Sequence, residues 1–439
     1  MQIPDSVRFC LDRLENAGFA AFVVGGCVRD ACLGLEPSDW DMCTAAIPEQ
    51  TEAIFSDRRL VLAGKKHGTV GVVTDSGVVE ITTFRTEGDY RDNRHPEWVK
   101  FVPDIEADLA RRDFTVNAMA YSPTRGFADP FGGRSDLDAK ILRAVGDPER
   151  RFREDALRIL RGVRFSVRYG LMPEEKTLDA MISLRSLMDS LARERVFEEL
   201  CKLIVRISAD ELRTFAPILA AAIPELEATI GFQQHNPHHI HDVFGHTACV
   251  VEAVPAELAL RWAALLHDIA KPATFSLDES GRGHFYGHSK ESAAMANAVL
   301  LRLKAPTALR ERVVLLIGQH MTPLIPDRKI LRRRLSTFGS EAVWQLLALQ
   351  EADWGGKGTD EIRENGDFRE IRQLLQQIEE ENACLSLKNL AVSGHDLMAL
   401  GFAGPAIGKT LNHLLNLVLE EQLPNEKNAL LEAAKEVQP

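Results

Sequence analysis

Three acidic residues in the first third of the chain have the spacing of a metal-dependent transfer site. Asp39 and Asp41 lie two apart in SDWDM, and on a strand that spacing places both carboxylates on one face. Two like charges held so close favour a cation between them, and oxygen ligands suit Mg²⁺ bridging to phosphates. Glu80 is a lone acid in the β-branched run VVEITTF. Three carboxylates on neighbouring strands predict a two-metal site for nucleotidyl transfer, although the aspartate pair alone fits a solvated turn equally well.

A glycine turn precedes these carboxylates. In FVVGGCVRD a predicted strand ends at Gly25 and Gly26, and a helix beginning near Val28 carries Arg29. Backbone N–H groups at such a turn can bind phosphate, and an arginine adds charge-assisted hydrogen bonds. Taken alone, the pattern more often marks an ordinary structural turn.

A basic cluster, Arg111 and Arg112 followed by Asp113, leads into FTVNAMAY. It offers cations for a triphosphate and an acid for a ribose hydroxyl, and Asn117 adds a polar group to an otherwise apolar predicted helix. The charged stretch Arg85–Pro96 is rich in turn-forming residues, which predicts a mobile loop or an ordinary surface loop.

The segment EDALR brings an acid pair close to an arginine. On one helix, Glu154, Asp155 and Arg158 would share a side. An acid and an arginine could recognise the Watson–Crick edge of cytosine or adenine, because both bases carry an exocyclic amine that uracil and guanine lack at that position. The alternative is a surface ion-pair trio. Four further arginines either provide positive charge for RNA phosphates or simply form the solvent-exposed face of the helix. They are Arg151, Arg153, Arg161 and Arg164.

The elements that must position these residues differ between the two parts of the chain. Up to about Asp147, short β-branched runs alternate with glycine and proline, whereas after Pro148 apolar residues recur at helical spacing. The predicted early elements are a helix at Ile3–Ala17 and strands at Phe19–Gly25, Gly68–Thr74 and Val78–Phe84. An α/β head followed by a long all-α part is therefore expected.

Changes in composition predict four domains. They are a head at 1–147, an arginine-rich helical neck at 148–214, a body at 215–356 that holds most of the histidines, and a helical tail at 357–439. The tail contains a turn rich in glycine and proline at Gly401–Gly408.

The composition excludes several classes of protein. The 439 residues carry a net charge of −12, which argues against nonspecific coating of nucleic acid but not against local basic tracks, expected at Arg150–Arg168 and Arg332–Arg334. Seven scattered cysteines without a CxxC motif favour the reducing cytoplasm over a disulfide framework. No apolar stretch approaches the roughly 18 residues of a membrane span, and the N-terminus does not resemble a signal peptide. We therefore expect a cytoplasmic protein with no membrane partner.

Six motifs together resemble one known family. GGCVRD, DWD, GKKHGTVGVV, RRDFTVNAMAY, DPFGGRSDLDAKILRAVGDP and REDALRILRGVRF occur in this order, as in the bacterial class II tRNA nucleotidyltransferases, which comprise CCA-adding enzymes and poly(A) polymerases. The resemblance is close over 19–203 and looser beyond. It implies an α+β fold in which a polymerase-β-like head, a small mixed sheet with helices, precedes an all-α neck, body and tail. It also implies untemplated CCA addition to tRNA from CTP and ATP, with the tail binding tRNA.

The same resemblance implies roles for individual residues. The catalytic carboxylates that hold Mg²⁺ would be Asp39 and Asp41, with Glu80 as the third. Residues expected to contact the nucleotide are Gly25, Gly26, Arg29, Arg112, Asp113, Asn117, Glu154, Asp155, Arg158 and Arg161. Among these, Asp155 and Arg158 would select the base, and Glu154 would orient the arginine. The Arg85–Pro96 loop is the kind that enzymes adding only CC lack.

A second resemblance lies in the body. The body contains an adjacent histidine–aspartate pair. One helical histidine precedes the pair, and two further histidines and a distant aspartate follow it. This order resembles the HD superfamily of metal-dependent phosphohydrolases. The implied ligands are His246, His267, Asp268, His288, His320 and Asp353, and Lys271 also fits the motif. Such nitrogen and oxygen ligands suit a divalent transition metal such as Mn²⁺ or Ni²⁺. A single buried histidine is more often a core residue, but the complete order favours a site. The resemblance implies 2′,3′-cyclic phosphodiesterase, 2′-nucleotidase or phosphatase activity.

Alternative functions follow from the same motifs. A poly(A) polymerase acting on RNA 3′ ends is one, although GKKHGTVGVV stands where those relatives carry an arginine-rich GRRF-type segment, which favours CCA addition. The other is an HD phosphohydrolase, or a nucleotide-binding protein whose head only binds nucleotide. The sequence assigns no role to four histidines: His238, His239, His241 and His284. It does not predict the oligomeric state.

Overall fold

Thirteen short strands occur in the computed structural model, which describes residues 1–88, 99–237, 239–358, 368–381 and 383–437. The strands are β1 (Ala21–Val24), β2 (Asp41–Thr44), β3 (Leu60–Val61), β4 (Thr69–Thr74), β5 (Gly77–Thr83), β6 (Arg85–Glu87), β7 (Val99–Phe101), β8 (Ala120–Ser122), β9 (Gly126–Ala128), β10 (Ile141–Leu142), β11 (Met172–Pro173), β12 (Ser276–Leu277) and β13 (Gly283–His284). Seven form one mixed sheet in the order β3-β4-β5-β2-β1-β8-β9, in which β2 and β5 are parallel and the other neighbours antiparallel.

The β-branched runs form this sheet because alternate side chains enter the core. Along β5, Val79, Ile81 and Thr83 are buried, whereas Val78 and Glu80 lie on the exposed face. The three strands predicted from these runs are present: β1 and β4 are shorter than predicted by three residues and one residue, and β5 is shifted one residue toward the N-terminus.

Helices make up most of the remaining described chain. The α-helices are α1 (Asp5–Asn16), α2 (Gly26–Cys32), α3 (Pro48–Ile54), α4 (Ile105–Ala110), α5 (Gly133–Asp138), α6 (Pro148–Glu154), α7 (Leu157–Tyr169), α8 (Glu175–Ser183), α9 (Arg193–Ile204), α10 (Ala209–Thr214), α11 (Ala216–Ala222), α12 (Val243–Ala253), α13 (Leu258–Leu266), α14 (His288–Arg302), α15 (Thr307–Gln319), α16 (Arg328–Phe338), α17 (Ser340–Gly356), α18 (Phe368–Glu380), α19 (Gly394–Ala399), α20 (Pro405–Leu419) and α21 (Lys427–Glu436). Short 3-10 helices lie at Lys65–His67, Thr115–Asn117, Arg185–Ser190, Pro224–Thr229, Pro272–Thr274 and Leu387–Asn389. The predicted α+β fold, a mixed-sheet head followed by helices, is confirmed.

Three local predictions were wrong about the element that carries a residue. Asp39 lies in an irregular segment after Pro37, which has no N–H to donate, and β2 begins only at Asp41. Asn117 ends a 3-10 helix rather than lying within an α-helix. Asp155 does not share a helix with Glu154: α6 ends at Glu154, and Asp155 is extended, with φ −143° and ψ 103°.

The predicted loop at Arg85–Pro96 begins as strand β6, which pairs with β7. Residues 89–98, which include most of that loop, lie outside the described residues.

The chain divides into two compact units. The first comprises 1–207 and 214–227, and the second comprises 208–213 and 228–439. In the first, Phe22, Phe84 and Leu109 belong to a buried cluster on the sheet, and in the second a tail cluster includes Leu397 and Leu414. Among the described residues, no helix combines the length and apolarity needed to cross a bilayer.

Candidate active site and a histidine–aspartate cluster

Two of the head carboxylates, Asp41 and Glu80, lie side by side where β2 begins, and Asp39 precedes Asp41 by two residues. Asp41 is the register partner of Glu80 on the adjacent parallel strand, so both side chains project from the same face of the sheet. Burial raises the pKa of Asp41, the guanidinium of Arg112 opposes that shift, and the charge of Asp39 adds to it. The structure thus brings Asp39 and Arg112 within electrostatic reach of Asp41, with Glu80 one strand away.

Arg112 packs against the glycine turn. Gly25 has a φ of 79°, and its N–H donates to the carbonyl of Met119 at 3.0 Å. The positive φ favours glycine here, and a Cβ at this position would lie 2.9 Å from Arg112 Nη1, so any other residue would also displace the guanidinium. One Nη of Arg112 lies 3.5 Å from Asp108, and its buried Nε has no hydrogen-bond partner among the described residues. A cation with an unused donor beside a glycine turn is suited to binding an anion.

Arg29 lies in a buried network. Its side chain donates to Asp30 Oδ1 at 2.7 and 2.9 Å, to Asn117 Oδ1 and to the hydroxyl of Tyr169, and the residue is only 5% exposed. The rings of Tyr169 and Phe165 lie 4.2 and 5.3 Å from its guanidinium carbon. These contacts give Arg29 a structural role that joins α2 to α7. Its contact with a triphosphate stays a prediction.

Asp113 is also held by protein donors. Its Oδ1 accepts from Asn117 Nδ2 at 3.0 Å, and its Oδ2 accepts from Arg161 at 2.7 and 2.9 Å. Although burial opposes ionisation, Arg161 and Asn117 hold the pKa of Asp113 well below its usual range. The ionised carboxylate therefore ties the 3-10 turn to α7, and its predicted ribose contact stays a prediction.

Glu154 and Arg158 form the predicted ion pair across the break between α6 and α7. Glu154 Oε2 lies 2.9 Å from Arg158 Nη1 and 2.7 Å from Arg151 Nη1. Arg158 also donates to the carbonyls of Arg151 at 3.1 Å and Arg111 at 3.0 Å, and it is 9% exposed. The ion pair that the four-residue spacing predicts is thus present, and the role of Glu154 in orienting Arg158 toward a base stays a prediction.

Asp155 has a partner that local spacing could not reveal. Its Oδ1 accepts from the Leu157 N–H at 3.0 Å and so caps α7. Its Oδ2 accepts from Arg195 Nη2 on α9 at 3.3 Å, and Arg195 Nη1 is buried without a hydrogen-bond partner among the described residues. Because Arg195 lies 40 residues away, no motif linked it to Asp155.

The second unit contains a buried cluster of histidines and aspartates at the ends of five helices. Its members are His246, His267, Asp268, His288, His320 and Asp353. Among the residues described, groups of three or more ligand atoms within 4.8 Å of one another occur twice, once with His246, His267, Asp268 and Asp353 and once with Asp268, His288 and His320. Asp268 belongs to both groups.

The distances show how Asp268 joins the two groups. His267 Nε2 lies 3.2 Å from Asp268 Oδ2, whereas His288 Nε2 lies 3.3 Å and His320 Nε2 4.0 Å from the other oxygen, Oδ1. On the first side, His246 Nε2 is 2.9 Å from Asp353 Oδ1. Each oxygen of Asp268 therefore serves one group.

Backbone contacts orient three of the histidines toward the cluster. The Nδ1 atoms of His267, His288 and His320 lie 2.8, 2.7 and 2.7 Å from the carbonyl oxygen three residues earlier. That contact fixes the tautomer and leaves Nε2 for a metal ion. Burial lowers the pKa of His267, but the neighbouring carboxylates of Asp268 and Asp353 outweigh burial and raise that pKa to about 10. For His320, burial dominates and lowers the pKa to about 4. The donor set fits a divalent cation, which would take the place of protons in this cluster.

Two neighbours of the cluster carry further polar groups. The ring of His239 meets that of His246 edge to face at 5.4 Å, and its buried Nδ1 has no hydrogen-bond partner in the described part of the chain. Lys271 Nζ lies 2.7 Å from Asp268 Oδ2 and donates to Gln234 Oε1 at 2.9 Å. The sequence left His239 unassigned because its segment contains several histidines at irregular spacing.

The remaining unassigned histidines lie elsewhere. His284 contacts Asp278 at 2.8 Å on a surface hairpin, and His241 is partly exposed. His238 lies outside the described residues.

The predicted basic track at Arg332–Arg334 is not a free cationic surface. Arg332 is 7% exposed and lies 3.0 Å from Glu421, Arg333 pairs with Glu420, and Arg334 donates to Gln319 at 3.2 Å. Ion pairs between α16 and the end of α20 therefore neutralise two of these arginines. The sequence could not predict these pairs, because the partners lie on different helices.

Comparisons with known proteins connect this geometry to a family. Residues 21–143 match the Poly A polymerase head domain, and residues 288–434 match the tRNA nucleotidyltransferase domain 2. The crystal structure of the Bacillus stearothermophilus CCA-adding enzyme in complex with CTP is similar, with a TM-score of 0.76 and 27% identity, covering 99% of this chain and 98% of that one. The Thermotoga maritima CCA-adding enzyme complexed with tRNA, at 20% identity and a TM-score of 0.61, shares the fold.

Curated relatives match along almost the whole chain. The CCA-adding enzyme of Streptococcus thermophilus is 32% identical over 431 residues, covering 96% of this chain and 94% of the relative. The CCA-adding enzyme of Bacillus velezensis is 33% identical over 425 residues, covering 96% of this chain and 95% of that relative. With this identity over nearly full length and a polymerase-β-like head, the chain belongs to the family of CCA-adding enzymes.

Proposed function

We propose that this protein adds CCA to the 3′ end of tRNA from CTP and ATP without a nucleic-acid template. The observation that carries the proposal is the pairing of Asp41 with Glu80 on adjacent parallel strands, next to Asp39 and Arg112. The names of the relatives, and the CTP, ATP and tRNA complexes of similar structures, support the choice of substrates.

The head residues supply the binding and orientation for this reaction. The tRNA 3′-hydroxyl attacks the α-phosphate of the nucleotide, and pyrophosphate leaves. Asp39, Asp41 and Glu80 would hold Mg²⁺, which when bound neutralises charge on the phosphates. Arg112 and the turn at Gly25 bind the triphosphate, while Arg29, Asp113, Asn117 and Arg161 keep this part of the head in place.

Base selection would lie in the neck. Glu154 orients Arg158, and Arg195 together with the Leu157 N–H orients Asp155. Arg158 donates to a ring nitrogen or O2 of the base, and Asp155 accepts from the exocyclic amine of cytosine or adenine. Uracil presents an acceptor there and would leave Asp155 unpaired, which disfavours UTP.

The four-part division is part of this proposal: a head at 1–147, a neck at 148–214, a body at 215–356 and a tRNA-binding tail at 357–439. The sheet ends within the first segment, and the break between α6 and α7 lies within the second. The tail's own buried cluster, including Leu397 and Leu414, supports its separation from the body.

A single assay separates the candidate functions. The protein is incubated with tRNA lacking CCA, labelled CTP or ATP, and Mg²⁺, and the products are resolved by length. We expect three added nucleotides when both CTP and ATP are present. A long ladder with ATP alone would indicate a poly(A) polymerase, and no extension would contradict both activities in favour of a head that only binds nucleotide.

The histidine–aspartate cluster favours a second function. We propose that it is an HD-type centre, holding a divalent metal such as Mn²⁺ or Ni²⁺, that hydrolyses phosphoesters such as 2′,3′-cyclic nucleotides. The support is the three histidines whose Nδ1 contacts direct Nε2 toward Asp268. When bound, the metal would activate a water molecule, while Lys271 faces the phosphate.

Variants distinguish the two centres. Hydrolysis of 2′,3′-cAMP should require added metal, disappear in Asp268→Ala and persist in Asp39→Ala. Hydrolysis that survives in purified Asp268→Ala would refute this second function without affecting the first.

A further inference from the structure

One row of residues crosses four neighbouring strands on a single face of the head sheet. Asp41 on β2 pairs with Glu80 on β5, and Glu80 pairs with Gly71 on β4. Gly71 pairs in turn with Val61 on β3. Residues that pair directly across strands project from the same face, and neighbouring strands lie about 5 Å apart. The row therefore continues the line of the candidate catalytic carboxylates for about 10 Å beyond Glu80.

Beyond Glu80 this face is apolar and exposed. Val61 and Val78 are 43% and 53% exposed, and Val73 pairs with Val78. A Cβ on Gly71 would lie 2.9 Å from Val78 Cγ1 and 3.1 Å from Val61 Cβ, so these two valines flank the glycine. Contiguous apolar side chains at a surface mark a contact site, whereas isolated ones do not. We call Val61, Val73 and Val78 the valine patch.

Further along β2 the same face is covered. Cys43 follows Asp41 by two residues, is 1% exposed, and belongs to a buried cluster with Leu109 of α4. Alternate residues of a strand share a face, so α4 covers the face that carries Asp41 at this point. The face is therefore closed beyond Asp41 along β2 and open across β5, β4 and β3.

The geometry of nucleotidyl transfer decides which substrate lies on the open side. In an in-line displacement, the attacking hydroxyl and the leaving pyrophosphate lie on opposite sides of the α-phosphate. The turn at Gly25 follows β1, and Arg112 packs against it, so the groups proposed to bind the triphosphate lie on the β1 side of Asp41. The attacking 3′-hydroxyl then comes from the other side, over β5 and β4, where the valine patch lies.

We propose that the valine patch binds the 3′-terminal nucleotide of the tRNA substrate. The inference rests on the proposed CCA addition and assigns the acceptor end of the tRNA to a surface of this chain. The ribose and base of the terminal nucleotide pack on Val61 and Val78, which brings its 3′-hydroxyl beside Glu80. The terminal base changes with each addition, and a surface that contacts only the face of a base accepts all of them.

A cation borders the valine patch. The carbonyl of Arg59 accepts from the Val73 N–H at 3.0 Å, which places Arg59 beside the patch at the start of β3. Arg59 precedes Val61 by two residues and is exposed. An arginine next to an apolar surface suits RNA, because it can bind a backbone phosphate while the valines contact the base.

Photo-cross-linking locates the terminal nucleotide directly. A tRNA that lacks CCA and carries 4-thiouridine as its last residue is irradiated with the full chain and Mg²⁺, without CTP or ATP. The cross-linked peptides are then identified by mass spectrometry. We expect the cross-link within residues 59–80. A cross-link confined to another part of the chain would overturn the assignment.

Kinetics separate binding of the tRNA end from binding of the nucleotide. Val61→Glu places a negative charge where RNA lies and should lower kcat/KM for tRNA about tenfold. Val78→Thr keeps the β-branched shape but loses an apolar methyl contact, which should lower kcat/KM for tRNA about fourfold. Neither variant should change KM for CTP, because the nucleotide lies on the other side of the carboxylates.

Phe127→Ala is the matched control for these variants. Phe127 is 38% exposed on β9 and lies in the row of Tyr121, Val23 and Met42, which is the opposite face of the same sheet from Asp41. Its loss should leave both kinetic constants unchanged. Unchanged kcat/KM for tRNA in Val61→Glu and Val78→Thr, or a raised KM for CTP instead, would overturn the assignment while leaving CCA addition intact.

A different result would reject the parent function. If the unaltered chain adds no nucleotide to tRNA lacking CCA, CCA addition is refuted. The cross-link then decides the valine patch alone: a cross-link within residues 59–80 that Val61→Glu weakens supports RNA binding at this face, and its absence overturns it.

Discussion

Asp41 on β2 and Glu80 on β5 are direct register partners in a parallel strand pair. Neighbouring strands lie about 5 Å apart, so the two carboxylates start from positions a single cation can bridge. On its other side β5 forms an antiparallel hairpin with β4, in which six consecutive residue pairs hold β5 within the sheet. The placement of the third carboxylate is therefore a property of the sheet and not of a loop.

The first prediction concerns the carboxylates. Asp39→Ala or Asp41→Ala should lower CMP incorporation by about a thousandfold, since each removes a ligand that holds charge-neutralising metal at the phosphates. Binding of tRNA should stay near normal. Asp75→Ala, an exposed aspartate in the turn between β4 and β5, is the control and should retain full activity. Incorporation by Asp39→Ala within about tenfold of the wild-type rate at saturating Mg²⁺ would contradict the assignment.

The second prediction concerns base selection. Arg158→Ala should reduce discrimination against UTP about tenfold or more, because a buried donor that Glu154 holds at 2.9 Å would be lost. Incorporation of CTP, ATP and UTP is compared by kcat/KM. Arg153→Ala removes an arginine whose side chain is 58% exposed on the same segment and should leave the ratios unchanged. An unaltered preference in Arg158→Ala would remove Arg158 from the base-reading site.

Sequence reasoning worked where contacts are local. The β-branched runs identified β1, β4 and β5, and the four-residue spacing of Glu154 and Arg158 predicted their ion pair. It failed for Asp155, because the residue breaks the helix by capping the next one with its own side chain.

Partners distant in the chain escaped the sequence. Arg195 reaches Asp155 from another helix, and Glu421 pairs with Arg332, for which the sequence predicts contact with RNA. Periodicity identifies the buried face of a helix, but it does not identify which helix packs against that face. The order of the histidines is visible in the sequence, whereas the sharing of Asp268 between two ligand groups depends on how five helices pack together.

The third prediction concerns metal binding at the cluster. Mn²⁺ at one hundred times its Kd should stabilise the second unit by about 2.7 kcal/mol, because a ligand of the native state alone shifts unfolding by mass action. Thermal unfolding with Mn²⁺ and with EDTA measures the shift. The shift should vanish in Asp268→Ala and persist in His284→Ala, whose histidine lies on the surface hairpin. Equal Mn²⁺ stabilisation of both variants would place the metal elsewhere.

The fourth prediction concerns the pH dependence of stability. Despite burial, Arg161 and Asn117 hold the pKa of Asp113 below the value of about 3.9 that an unfolded aspartate has. The ionised form therefore contributes its full stability above that value, and the contribution is lost as the pH falls toward the folded pKa. Asp113→Asn should be less stable by about 2 kcal/mol at pH 7, since charged hydrogen bonds are lost.

The difference between the two proteins should then shrink on acidification. Urea unfolding of wild type and Asp113→Asn, followed by circular dichroism between pH 3 and pH 7, should give free energies that are furthest apart above about pH 5 and that begin to approach each other below about pH 4. Asp75→Asn, at an exposed turn, should differ little from wild type throughout. A constant gap between wild type and Asp113→Asn across this range would show that the Asp113–Arg161 pair does not couple folding to ionisation, because a depressed pKa requires the gap to depend on pH.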